Sequence, residues 1–200
     1  MMAKKRKVKW GKWVLMFILG LILVTVLGLI INNRIYALKY SNLSTNAEHL
    51  SSNEISAVKG VYEYLDNYGD DIFKDFNANK DVIIYNDSYE FLISNDREIS
   101  DWNFIGRNEE LKKYIHRKKA DNPQAFAVYA GEKWVGSMST KNCYDKFIIK
   151  SIPVFFPPQL MSMDEEHYKA TIIHEMVHAH EAKHNIDRFL KLKSLHSVGD

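Results

Sequence analysis

The chain divides by its hydrophobic pattern into one solid apolar block and a longer stretch in which apolar residues recur periodically. Residues 13–31 read WVLMFILGLILVTVLGLII, nineteen positions without a charge. That is long enough to cross a bilayer as a helix. Residues 32–50 are polar and rich in Asn and Ser, and read as a stalk. Ser51 and Glu54 have capping-box spacing. After them Ile55, Val58, Val61, Tyr62, Leu65 and Tyr68 recur at helical intervals up to Gly69, where the helix is expected to end. Residues 70–76 suggest a short second helix. Residues 82–85 and 89–93 are β-like runs around Asn86-Asp87-Ser88, the pattern of a hairpin. Asn108 is placed to cap a helix over 109–119, closed by Asp121-Asn122-Pro123. Residues 125–130 and 133–137 flank Gly131-Glu132 as a second hairpin, and 147–149 and 152–156 read as extended. Ser162 and Glu165 repeat the capping-box spacing ahead of a last helix, with Met161 and Met163 expected to fill core gaps. This order predicts an α+β domain, residues 51–200, with a small twisted sheet packed on helices behind one transmembrane helix.

Charge fixes an orientation for that helix. Residues 1–12 carry Lys4, Lys5, Arg6, Lys7, Lys9 and Lys12, whereas only Arg34 and Lys39 follow before residue 40. Basic flanks stay in the cytoplasm, so the N-terminus is expected inside and the domain outside the cell membrane. Trp10 and Trp13 stand where an interfacial aromatic anchor would. The apolar run is longer than that of a cleaved signal peptide, and Ile35-Tyr36-Ala37 is a poor cleavage site. The first 40 residues hold eight bases and no acid, which leaves 19 bases against 25 acids in residues 41–200, a net of −6. An acidic domain lacks the basic footprint that phosphate contacts need, so no nucleic-acid partner is expected. The basic cluster from Lys112 to Lys119 reads as a solvated face. Cys143 is the sole cysteine, so no intrachain disulfide forms, and it reads as a small buried residue.

The sharpest chemical signal is His174-Glu175-Met176-Val177-His178. Histidines four apart on a helix share a face, so both imidazoles can reach one metal ion. Zinc suits imidazole nitrogen and accepts a tetrahedral site with one open position. Glu175 is placed to take a proton from water at that position and to hand it to a leaving amine. The pattern H-E-x-x-H is thus a zinc-peptidase signature. The alternative is a buried helix whose histidines bind only neighbours. Two histidines and water leave one protein ligand to find. Glu181 lies on the same stripe but about 10 Å along the axis from His174, which suits an orienting acid better than a ligand. His184 qualifies if the helix ends near Ala182 or Lys183 and the chain turns back. His196 needs a longer excursion, and His180 points to another side. Tyr168 and Tyr144 are candidates for stabilising an oxyanion.

His174 to His178, then His184, Phe189 and Lys191-Leu192, resembles the zinc site of WLM-domain metallopeptidases. The string His-Glu-Met-Val-His-Ala is also similar to SprT-like (Spartan-type) peptidases, and metzincins share the spacing to His184. The match covers about residues 160–195. It implies a zincin-like fold, one zinc ion per chain held by His174, His178 and His184, Glu175 as general base, and a peptide or protein substrate. The chain departs from these families in lacking a Gly between His178 and His184 and a Met after Met176. The leading expectation is a membrane-anchored zinc endopeptidase, with the sheet edge beside the metal helix receiving substrate as an added strand. One alternative is a cytosol-facing SprT/WLM-like protease acting on nucleoprotein, which needs inverted topology or a nuclear role for residues 4–8. Another is a non-catalytic membrane protein with a structural zinc site, which has no use for Glu175 at an open coordination position.

Overall fold

A computed structural model describes residues 10–72, 80–121, 123, 125–151 and 156–196, with the side chains of 72 and 186–196 outside the description. Its elements are α1 (Trp10–Tyr40), α2 (Ser52–Ile72), β1 (Val82–Tyr85), β2 (Tyr89–Ser94), β3 (Asn103–Asn108), β4 (Lys113–Lys119), β5 (Phe126–Ala130), β6 (Lys133–Ser139), α3 (Lys141–Ser151) and α4 (Glu165–His196). The chain is α+β, with four α-helices and one six-stranded sheet among the described residues. It falls into two compact units, residues 1–42 with 146–162, and residues 43–145 with 163–200.

In the larger unit the strand order is β3-β4-β2-β1-β6-β5. Every pairing is antiparallel except β1 with β6, where Val82 faces Gly136 and Tyr85 faces Ser139. The sheet is therefore mixed. Alternation sends Val82, Ile84, Ile93 and Met138 to one face, where they meet Ala57, Val58, Val61 and Leu65 of α2 and Tyr168, Ile172 and Met176 of α4. Ile83, Leu92, Ala130 and Val135 form a second cluster on the other face, with Ile99, Trp102 and Val128 packed against it. Asp81, buried at the start of β1, accepts from the Ser94 hydroxyl (2.8 Å) and from Lys133 Nζ (2.9 Å), so one carboxylate ties together the ends of three adjacent strands. The hairpins expected at Asn86-Asp87-Ser88 and Gly131-Glu132 are present. The second turns on two positive φ angles, 55° and 63°. The capping box at Ser51 is also present: Glu54 accepts from the Ser51 amide at 2.7 Å, and the Glu54 amide faces Ser51 Oγ at 3.4 Å.

Several local expectations are corrected. Residues 109–119 are not a helix. Asn108 Oδ1 accepts from the Leu111 amide (2.9 Å), but this caps only a turn, and Lys112 at φ 54° redirects the chain into β4. There His116 is fully buried opposite Leu92. Residues 147–149 are helical, inside α3, because Thr140 starts a helix by accepting from the Tyr144 amide (3.0 Å) and Lys141 pairs with Asp145 one turn on (2.7 Å). Gly69 does not end α2, which runs to Ile72; the helix expected over 70–76 otherwise falls outside the described residues, as do most of residues 152–156. Met161 is 44% exposed rather than a core filler, whereas Met163 packs on the core. In the segment expected to be a stalk, residues 32–40 continue α1, and Thr45 and Ala47 accept hydrogen bonds from Asp87 and Asn86 at the β1–β2 turn.

The contact that seats α4 is made at Gly136 of β6. A Cβ there would stand 2.7 Å from Met176 N and 2.8 Å from Glu175 C and Met176 Cα. Those are backbone atoms, so a side chain can be admitted only by lifting the helix. Gly136→Ala should therefore cost about 1–3 kcal/mol in urea unfolding, as overpacking typically does. Gly106→Ala, where nothing lies within 4 Å, is the control and should stay within about 0.5 kcal/mol. Equal effects at the two glycines would remove Gly136 from its seating role.

Candidate functional site

Helix α4 is built to start sharply and to present distinct faces. Asp164, not Ser162, is its cap: Asp164 Oδ1 accepts from the His167 amide at 2.8 Å. Glu165 and Glu166 occupy the first turn, where carboxylates complement the helix dipole, and Lys169 pairs with both at 3.0 Å. Tyr168, Ile172, Met176 and Ala179 recur on the buried face. Glu175 sits at the margin of that face and is 6% exposed, whereas His174, one residue earlier, is exposed.

His174 and His178 converge as their spacing requires. Their Nε2 atoms are 3.0 Å apart, with ring centroids at 4.4 Å and planes at 80°. Two nitrogens bound to one tetrahedral zinc stand about 3.3 Å apart, so the pair needs little adjustment to hold one ion. The donor set suits zinc for a second reason. His178 Nδ1 lies 3.5 Å from Glu181 Oε2, and a carboxylate on that side favours the tautomer whose Nε2 lone pair is free. Glu181 therefore stands beside Nδ1 of His178, on the side away from the Nε2 pair. The Phe126 ring, from edge strand β5, lies 6.5 Å from the His178 ring.

Glu175 is the electrostatic anomaly of the site. Its Oε2 is buried and accepts no hydrogen bond among the described residues. Burial raises its carboxyl above the ordinary glutamate range, while His174 and His178 pull the other way. A poorly solvated carboxyl whose proton affinity is raised binds a proton more readily than a solvated glutamate does. Tyr85, at the end of β1, was not singled out by the sequence. Its phenol is raised by burial, then by the Cys143 thiol, and more weakly by Glu175, while hydrogen bonds with Ser139 and the Ala125 backbone oppose the shift. Tyr168 is fully engaged instead: it is 2% exposed and donates to Ser139 O at 2.9 Å. Tyr144 packs at the edge of the core.

The structure does not bring His184 to the pair. Helix α4 continues unbroken to His196, so His184 lies about 9 Å along the axis from His178 and about 120° around it. Its ring instead meets that of His180, with centroids at 4.4 Å and planes tilted by 54°. His196 ends the same helix, and its side chain lies outside the described residues. Among the described residues no group of three His, Cys, Asp or Glu side chains is gathered to hold an ion. Comparison of the chain with family models, curated proteins and solved structures returned no match.

The raised carboxyl of Glu175 has a consequence for stability. A carboxyl whose folded pKa exceeds its unfolded one keeps its proton more tightly when folded, so stability falls as pH rises through that range. In metal-free protein, Glu175→Gln should remove this loss. The variant should gain stability over wild type in urea melts at about pH 8, with the gap narrowing at about pH 4. A gap that widens toward acid would mean that Glu175 is stabilised as the anion.

Proposed function

We propose that this protein is a membrane-anchored, zinc-dependent endopeptidase with a zincin-like catalytic domain. The observation that carries the proposal is the pairing of two convergent imidazoles, Nε2 to Nε2 at 3.0 Å, with a buried carboxylate oxygen on the next residue that accepts no hydrogen bond among the described residues. His174 and His178 would hold the ion, and Glu181 would orient His178. The chemistry a bound zinc supplies is Lewis acidity, which acidifies water and polarises a peptide carbonyl. Glu175 accepts the proton of the attacking water on its carboxylate and passes it to the departing amine nitrogen. Among the described residues β5 is an edge strand with one unpaired side, and a substrate strand added there would run past Phe126 beside His178. α1 is long and apolar enough to cross a membrane, and the basic flank before it supports an extracytoplasmic domain.

The third ligand is where the resemblance and the helix conflict. His184 can complete the site only if α4 breaks near Ala182. Zinc should then speed amide exchange around residues 180–186 in wild type and not in His184→Ala, which should also bind zinc more weakly. Tight zinc binding by His184→Ala would move the assignment to another donor. Purified full-length chain should carry about one zinc, lost in His174→Ala and His178→Ala. Glu175→Gln should keep the ion and lose about 10²–10⁴ in peptide hydrolysis. Zinc retained by both histidine variants would end the proposal. Equal inertness of wild type and Glu175→Gln on every protein tried would favour a structural zinc site instead.

The topology has its own test. A reporter fused after Asp200 should lie outside the cytoplasm. A cytoplasmic reporter would return the cytosol-facing reading to first place.

A further inference from the structure

The smaller unit has chemistry of its own. All 25 acids of the chain lie in residues 43–145 and 163–200, and the other unit contains only bases. Within it, residues 156–161 form a turn fastened to α1. Asn32 and Gln159 exchange reciprocal amide hydrogen bonds at 3.0 and 2.9 Å, and Asn33 Nδ2 donates to Phe156 O at 3.1 Å. Pro158 is buried, and the turn closes through the Leu160 and Met161 amides onto Pro157 O and Pro158 O. The turn nevertheless aims apolar side chains outward. Leu160 is 70% exposed, Met161 44% and Phe156 38%.

The attachment point identifies what these side chains meet. The apolar run ends at Ile31, and Asn32 and Asn33 are the next two residues. Nineteen helical residues span about 28 Å, close to the hydrocarbon thickness of about 30 Å. A turn bonded at residues 32 and 33 therefore stands at the level where α1 would leave the hydrocarbon. At that depth, exposed Leu, Met and Phe gain by entering the boundary between chains and headgroups.

We propose that residues 156–161 are an interfacial membrane-contact element that dips Leu160 and Met161 into the bilayer surface beside α1. The proposal rests on α1 spanning a bilayer, and the test separates the two. Full-length protein in a Cys143→Ala background is labelled with an environment-sensitive fluorophore at Leu160→Cys, at Met161→Cys or at Leu21→Cys. It is then reconstituted into vesicles of mixed zwitterionic and anionic lipid. The Leu21 label should be shielded from aqueous iodide and quenched best by nitroxides at the chain ends. The Leu160 and Met161 labels should be blue-shifted, largely shielded from iodide, and quenched best by nitroxides high on the acyl chain. Iodide access at both 160 and 161 with Leu21 protected overturns the interfacial element alone. Iodide access at all three overturns the membrane reading with it. Protection at 160 that disappears as lipid is added in excess marks contact with a second copy of the chain, and also overturns the proposal.

Discussion

The close approach of α4 to β6 at Gly136 is the constraint on which the candidate site depends. With no side chain at Gly136, the peptide joining Glu175 to Met176 rests nearly on the strand backbone. This fixes both the height and the rotation of the helix. Glu175 is pinned at the margin of the interface and loses its solvent, while His174, one residue earlier and about 100° around, stays in water. Neighbouring residues thus acquire opposite environments from a single contact. The burial that raises the Glu175 carboxyl follows from the same seating. β6 can serve as this platform because it is an interior strand, held by parallel pairing to β1 and antiparallel pairing to β5.

What could be read from the sequence was whatever is decided locally. The imidazole convergence follows from helical spacing alone, and the two hairpins follow from turn residues that leave the backbone little choice. The capping box at Ser51 belongs to the same class. The misreadings are places where tertiary pairing overrode local preference. Residues 109–119 are rich in Glu, Lys and Arg, good helix formers, yet β2 takes this segment as its second partner, and the helix signal at Asn108 caps only the turn over 109–112. In α3 the reverse holds: Phe147, Ile148 and Ile149 favour a strand locally, but Thr140 and the Lys141–Asp145 pair start a helix that carries them. Gly136 was legible only in part. A lone glycine inside a strand signals a close approach, but nothing in the sequence says what approaches.

The third ligand shows the limit of motif spacing. A spacing of six positions from His178 to His184 suits a site only where the chain reverses after the second histidine. Families with that spacing use glycine for the reversal, and here Glu181 stands in its place. Glu-Ala-Lys-His favours continued helix, and the helix continues. Glu181 gains a role from this continuity, since only on an unbroken helix does it stand one turn from His178 and reach Nδ1. The residue that stands where those families reverse the chain is therefore the one that reaches His178, and reversal and that contact compete for one backbone conformation.

Charge divides the chain as sharply as fold does. Every acid lies in the unit that carries the histidine pair, and the unit that carries α1 holds bases alone. The unit with bases alone is thus the one whose helix is long and apolar enough to cross a membrane, and it brings no carboxylate to the level of anionic headgroups.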